Sequence, residues 1–127
     1  MELVMITRVA VLFRRKIQWG NQLGKKIGFP TLNFNVGSFK DAHSFGVYVA
    51  RVDIAGKQYQ GALFFGPKFG PRNKLCLEVY VLGLHRTIYR QRVTFEIIKK
   101  IRGAKRFKSV DRLKKQIERD VKAILKF

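Results

Sequence analysis

The sequence predicts a small all-β barrel with one helix at its end, and three observations carry that reading. Glycines cut most of the chain into short runs of β-branched and aromatic residues, the composition of strands. The last segment changes period, with Val110, Leu113, Ile117, Val121 and Ile124 at helical spacing. A length of 127 residues suits a single domain around one core. That domain is expected to span 1–127, with the barrel over about 1–104 and the helix over about 109–126.

Taken in order, Val9 to Trp19 reads as the first strand. The stretch from Trp19 to Gly46 holds too many turn residues for a simple strand and is expected to be functional loop. Gly46 to Ile54 and Lys57 to Phe65 read as a hairpin, reversing at Ala55-Gly56. A loop rich in glycine and proline, Gly66 to Asn73, leads to strands over Leu75–Leu82 and Arg92–Ile101. Ser109 stands at the N-cap of the final helix and Asp111 in its first turn. The opposite side of that helix carries Lys115, Arg119, Lys122 and Lys126. Its apolar stripe is expected to pack on the barrel; binding to a membrane surface is the alternative use of such a helix.

Charge narrows the function classes. With 27 Lys+Arg against 8 Asp+Glu, the net charge is 27 − 8 = +19. So positive a chain implies polyanions or phosphate-bearing ligands, unless the excess is only solvated surface. The single cysteine, Cys76, excludes an intramolecular disulfide framework and a cysteine-based zinc site, and makes a reducing compartment the default. Met1 to Leu12 is apolar, but Glu2 and Arg8 interrupt it and Arg14, Arg15 and Lys16 close it. That pattern fits neither a spanning helix nor a signal peptide, so no membrane association and a cytoplasmic location are expected.

Eight carboxylates make a short list of acid–base candidates. Glu2 is terminal, Asp53 flanks the hairpin turn, and Asp111 is a helix N-terminal charge. Glu118 can pair with Lys122 at i,i+4, and Asp120 is placed to bond back to the barrel. Asp41, Glu78 and Glu96 remain. Glu78 lies in the middle of Leu75-Cys76-Leu77-Glu78-Val79-Tyr80-Val81. Strand alternation puts Leu75, Leu77, Val79 and Val81 on one face and Glu78 with Cys76 and Tyr80 on the other. Two readings stand: an exposed strand residue paired with a neighbouring Lys or Arg, or a general base on a rigid strand.

The second constellation is the run from Trp19 to Asn33. Gly20, Gly24 and Gly28 recur every four residues, with Lys25 and Lys26 between them. Such a loop can turn backbone N–H groups onto phosphate oxygens. It matches neither the P-loop nor G-x-G-x-x-G. Thr31 and Asn33 alternate with Leu32, so a hydroxyl and an amide oxygen can point the same way, ligands suited to a Mg²⁺ held mainly by phosphates. Read on its own terms, the run is a glycine-rich hairpin with two polar edge residues.

Gly20-x3-Gly24-x3-Gly28-Phe29-Pro30-Thr31-Leu32-Asn33 resembles the G-x3-G-x3-G-F-P-T-x-N signature of riboflavin kinases. Further segments follow in the family's order: Gly46-Val47-Tyr48, Tyr59-x-Gly61, Leu77-Glu78-Val79, Tyr89, and Arg102, Phe107, Ser109, Leu113, Ile117 and Asp120. The resemblance implies a six-stranded Greek-key (split) β-barrel with a C-terminal helix. It also implies transfer of the ATP γ-phosphoryl group to the riboflavin 5′-hydroxyl, giving FMN and ADP. Glu78 would accept the hydroxyl proton, and Thr31 and Asn33 would hold Mg²⁺. Gly20, Gly24, Lys25, Gly28 and Thr31 would meet ATP phosphates, and Arg102 and Phe107 the flavin.

The family's D-L-Y-G has Thr87 and Arg90 at its ends here, and its R-P-T-F segment has become Gly66-Pro67-Lys68-Phe69. Substrate contacts are therefore least defined over 66–73 and 83–90. The resemblance leaves no room for the adenylyltransferase domain of the bifunctional bacterial enzymes, so the expected product is FMN. A monomer binding riboflavin and ATP is expected. Two rivals remain: a non-catalytic barrel binding RNA or DNA through Lys99, Lys100, Arg102, Lys105, Arg106 and Lys108, and an inactive relative that only binds flavin.

Overall fold

A computed structural model describes residues 12–17, 23–69, 74–86, 88 and 91–127. Six strands appear in the order β1 (Leu12–Lys16), β2 (Leu32–Phe34), β3 (Gly46–Ile54), β4 (Lys57–Pro67), β5 (Leu75–Val81) and β6 (Arg92–Gly103). They form one antiparallel sheet in the spatial order β1-β6-β3-β4-β5-β2. The sheet curls into a nearly closed barrel, with β1 and β2 as its edges. Helix α3 (Val110–Ile124) follows β6.

Inside the barrel, alternate residues of each strand make the main core. Tyr48, Ala50, Val52 and Ile54 from β3 meet Leu63 and Phe65 from β4, Leu77, Val79 and Val81 from β5, and Val93 and Phe95 from β6. The apolar run of β3 has both faces covered. Its other face, Val47 and Val49, packs with Ile124 of α3 in a second, smaller cluster. The β3–β4 hairpin turns through Ala55 and Gly56, both with positive φ (50° and 81°), the geometry that matches strand twist in a two-residue turn.

Two differences from the sequence reading matter. The stretch 19–46, expected as loop, contains β2 and two one-turn helices, α1 (Leu23–Lys26) and α2 (Phe39–Ala42). Phe39 of α2 is fully buried among Phe13, Phe65 and Phe95, so α2 plugs the barrel. The second difference is how α3 sits. Its expected apolar stripe is only half used: Ile124 is buried, Val110 is exposed, and Leu113 and Ile117 face a pocket. The buried positions are Gln116, Asp120 and Ile124, one shoulder of the helix.

The cause is a buried ion pair. Arg102 on β6 donates from Nε and Nη2 to the two oxygens of Asp120 (2.8 and 2.7 Å), with the side chains 14% and 7% exposed. Gln116 Nε2 donates to Asp120 Oδ1 at 3.0 Å. A bidentate pair fixes both orientation and distance, so the helix leans on this shoulder and holds Leu113 and Ile117 off the sheet. Gly46, opposite Gly103, permits the strand approach there, because a Cβ on it would lie 2.3 Å from the Arg102 carbonyl oxygen. Ser109 Oγ accepts from the Arg112 N–H at 3.2 Å, the expected N-cap.

Candidate active site

Strand alternation puts Leu77, Val79 and Val81 into the core and leaves Cys76, Glu78 and Tyr80 on the outer face of β5. Neighbouring strands complete that face. Asn33 of β2 is the direct cross-strand partner of Glu78, and Phe64 of β4 is its partner on the other side. Directly opposed residues project to the same side of a sheet with Cβ atoms about 5 Å apart. Glu78 is therefore flanked by an amide and an aromatic ring.

Over this face lies a pocket of ≈ 690 Å³, roofed by α1, the segment after β6 and the raised side of α3. Phe45, Phe64, Phe107, Leu113 and Ile117 give it apolar walls; Thr31, Lys68, Glu78, Arg102 and Lys105 are among its polar groups. A second, more open cleft of ≈ 770 Å³ runs along β2 past Asn33, Asn35, Lys40, Lys68 and Lys74. Lys68 and Cys76 line both, so the two spaces meet beside Glu78 and Asn33.

Electrostatics at the junction are set by burial. Loss of water pushes the Glu78 carboxyl above its ordinary value, and the Lys68 ammonium acts in the opposite sense. Burial, with Glu78 adding to it, raises the Cys76 thiol to about 12, so the sulfur stays protonated and is no nucleophile. Among the described residues Glu78 forms no ion pair within 4.0 Å, and its side chain is only partly exposed. Asn33 Nδ2 donates to the Thr31 carbonyl at 3.3 Å, leaving its Oδ1 as the available polar atom.

A sequence model described as riboflavin kinase matches residues 8–127. The chain belongs to the riboflavin kinase family. Among the similar proteins, the RNA-binding riboflavin kinase RibR of Bacillus subtilis is 33% identical over 111 residues, covering 84% of this chain and 46% of that protein. A bifunctional riboflavin kinase/FMN adenylyltransferase of Haemophilus influenzae is 37% identical over 119 residues, covering 91% and 38%. This riboflavin kinase family chain thus spans less than half the length of either relative. In the crystal structure of a macrolide-efflux protein from Streptococcus pneumoniae, the matching region superposes with a TM-score of 0.78 at 25% identity. The match covers 93% of this chain and 39% of that one.

Placed on the riboflavin kinase barrel, the expected residues divide into groups. Glu78, Thr31, Gly24, Arg102 and Phe107 line the main pocket, and Asn33 lines the adjoining cleft. Gly24 meets its own loop: the Phe29 N–H donates to its carbonyl at 2.6 Å, and a Cβ would sit 2.2 Å from the Phe29 oxygen. Gly28 takes φ +93° in open space, and Lys25 is exposed on α1 outside the pocket lining. Arg102 has all three guanidinium nitrogens engaged, two with Asp120 and Nη1 with the Gly103 carbonyl at 2.9 Å. Gly20, Thr87, Tyr89 and Arg90 lie outside the described residues. Sequence reasoning missed Lys40 and Lys74 in the cleft and the pocket-lining role of Leu113 and Ile117, whose helical period signals burial equally well against protein or ligand.

No described helix is long and apolar enough to cross a membrane. Among the described residues no cluster of His, Cys, Asp and Glu is suited to hold a metal unaided. The donors beside Glu78 are a neutral hydroxyl and a neutral amide. Such a set fits Mg²⁺ that arrives already neutralised by phosphates, not a tightly held resident ion.

Proposed function

We propose that this chain is a riboflavin kinase, forming FMN and ADP from riboflavin and ATP. One observation carries the reading: an apolar pocket and a lysine-lined cleft meet at a partly buried carboxylate with hard oxygen donors beside it. In-line phosphoryl transfer needs two substrates held end to end, so that a hydroxyl faces a γ-phosphorus.

The isoalloxazine ring occupies the apolar pocket, against Phe64, Phe107, Leu113 and Ile117, with the stem of Arg102 at its edge. Its ribityl chain reaches Glu78. The nucleotide lies along the cleft, its phosphates at the junction beside Lys68 and reaching into the main pocket toward Thr31 and Gly24. Glu78 takes the proton of the 5′-hydroxyl as that oxygen bonds to the γ-phosphorus, and the bond from the γ-phosphorus to the β–γ bridging oxygen breaks to release ADP. Mg²⁺ brought with ATP supplies neutralisation of phosphate charge, and Thr31 and Asn33 are the residues to hold it. Lys68 adds positive charge where the two substrates meet.

The test is a turnover assay with riboflavin, ATP and Mg²⁺, following FMN by chromatography, beside titration calorimetry with riboflavin and with ADP–Mg²⁺. Turnover with binding of both ligands is expected. Binding of riboflavin without FMN formation would indicate the inactive flavin-binding relative, and binding of neither by folded protein sinks the assignment.

A further inference from the structure

Four cations line the outer side of α3, and one more stands just beyond each of its ends. Arg112, Lys115, Arg119 and Lys122 follow one another at steps of three, four and three residues, and Lys108 and Lys126 continue the spacing at each end. On a helix of 3.6 residues per turn the four positions within α3, Arg112, Lys115, Arg119 and Lys122, fall within about 80° of arc, opposite Leu113 and Ile117. All six are exposed. Among the described residues none of their side chains makes a hydrogen bond or ion pair: Glu118 leaves Lys122 unpaired, and Asp120 is taken by Arg102.

An ordinary solvated helix face mixes signs at i,i+4, where opposite charges stabilise it; like charges at that spacing cost about as much, a few tenths of a kcal/mol per pair. A row of repeated like charges, one per ~5 Å of helix, calls for an external anion of repeating charge. The β6 cations Lys99, Lys100 and Arg102 offer no such row. Lys99 lies over the Phe127 ring, Lys100 bonds Ser44 and lies over Tyr48, and Arg102 is held by Asp120.

We propose that the Arg112–Lys115–Arg119–Lys122 stripe, extended by Lys108 and Lys126, docks the phosphate backbone of a nucleic-acid duplex. The stripe is straight and carries no aromatic side chain, so it offers phosphate contacts without base stacking, and binding is indifferent to sequence. A lipid surface is disfavoured because insertion needs an apolar helix face free for acyl chains. On α3 that face is divided between the barrel and the pocket. The inference does not depend on the kinase reading.

Fluorescence anisotropy of the full chain with a labelled duplex of about 20 bp, as DNA and as RNA, tests it across a salt series. Four to six phosphate contacts give a log K against log salt slope between roughly −3.6 and −5.4. Replacing Arg112, Lys115, Arg119 and Lys122 with alanine, a strong helix former, should remove about 3–4 units of that slope and weaken binding at least tenfold at moderate salt. A control with the exposed Arg14, Lys16, Lys57 and Arg92 changed to alanine lowers net charge equally and should stay within about twofold; circular dichroism and thermal melting check both folds. Equal losses in the two variants, no duplex binding, or preference for phosphatidylcholine vesicles containing phosphatidylserine each overturn the proposal.

Discussion

Asn33 on β2 stands directly opposite Glu78 on β5, so an edge strand of three residues places an amide beside the one carboxylate that lines both the sheet face and the main pocket. The two have separable roles in the proposed reaction. Glu78→Gln keeps the shape but cannot accept a proton, and should lower kcat by about 10²–10⁴-fold while riboflavin still binds. Asn33→Ala removes an oxygen donor toward the nucleotide's metal, and its loss should ease as Mg²⁺ is raised. Steady-state kinetics over a Mg²⁺ series distinguish them; a Glu78→Gln enzyme with near-normal kcat would remove the general base from the mechanism.

Glu78 also predicts opposite effects on activity and stability. Its carboxyl is raised by burial, so the folded state binds the proton more tightly than the unfolded chain. The folded protein carries no penalty below the ordinary value of 4.5, and loses stability as pH rises from there through the raised value. Glu78→Gln should therefore raise the urea midpoint at neutral pH and leave it unchanged in mild acid. The acidic limb of kcat/KM should fall at the raised value, and Lys68→Met should move that limb to higher pH, since Lys68 opposes the shift. A limb that stays in place in Lys68→Met would uncouple the two residues.

The barrel was legible because its strands are short runs of β-branched and aromatic residues and its glycines mark the turns. Gly46 to Ile54 read as a strand, and Ala55-Gly56 as a reversal, from local pattern alone. Elimination among eight carboxylates left Asp41, Glu78 and Glu96; the resemblance to riboflavin kinases gave Glu78 its expected role, and alternation with Cys76 and Tyr80 its face. What the sequence hid was non-local. A three-residue strand such as β2 has no period of its own; its identity comes from pairing with β5, 45 residues away at Asn33 and Glu78. Leu113 and Ile117 show a helix's apolar period whether the helix lies flat on a sheet or stands off it. The tilt of α3 is decided by Arg102 meeting Asp120, a contact that no local window contains.

That contact makes the last prediction. Asp120 accepts from Arg102 twice and from Gln116 once, in a part-buried position where the remaining guanidinium would have no carboxylate. Removing one partner of a buried pair costs about 3–5 kcal/mol, much of it from the charge left behind. Asp120→Ala should lower stability by that amount and, by freeing α3, weaken riboflavin binding in the pocket that Leu113 and Ile117 wall. Changing Arg102, Gln116 and Asp120 together to Met, Leu and Leu removes every stranded polar group and should recover most of the stability. Flavin affinity should recover less, because apolar packing does not reproduce the orientation a bidentate pair imposes. Urea melts and flavin titrations on the single and triple variants check both halves. Full recovery of affinity in the triple variant would show that burial under α3, rather than the ion pair, sets the width of the pocket.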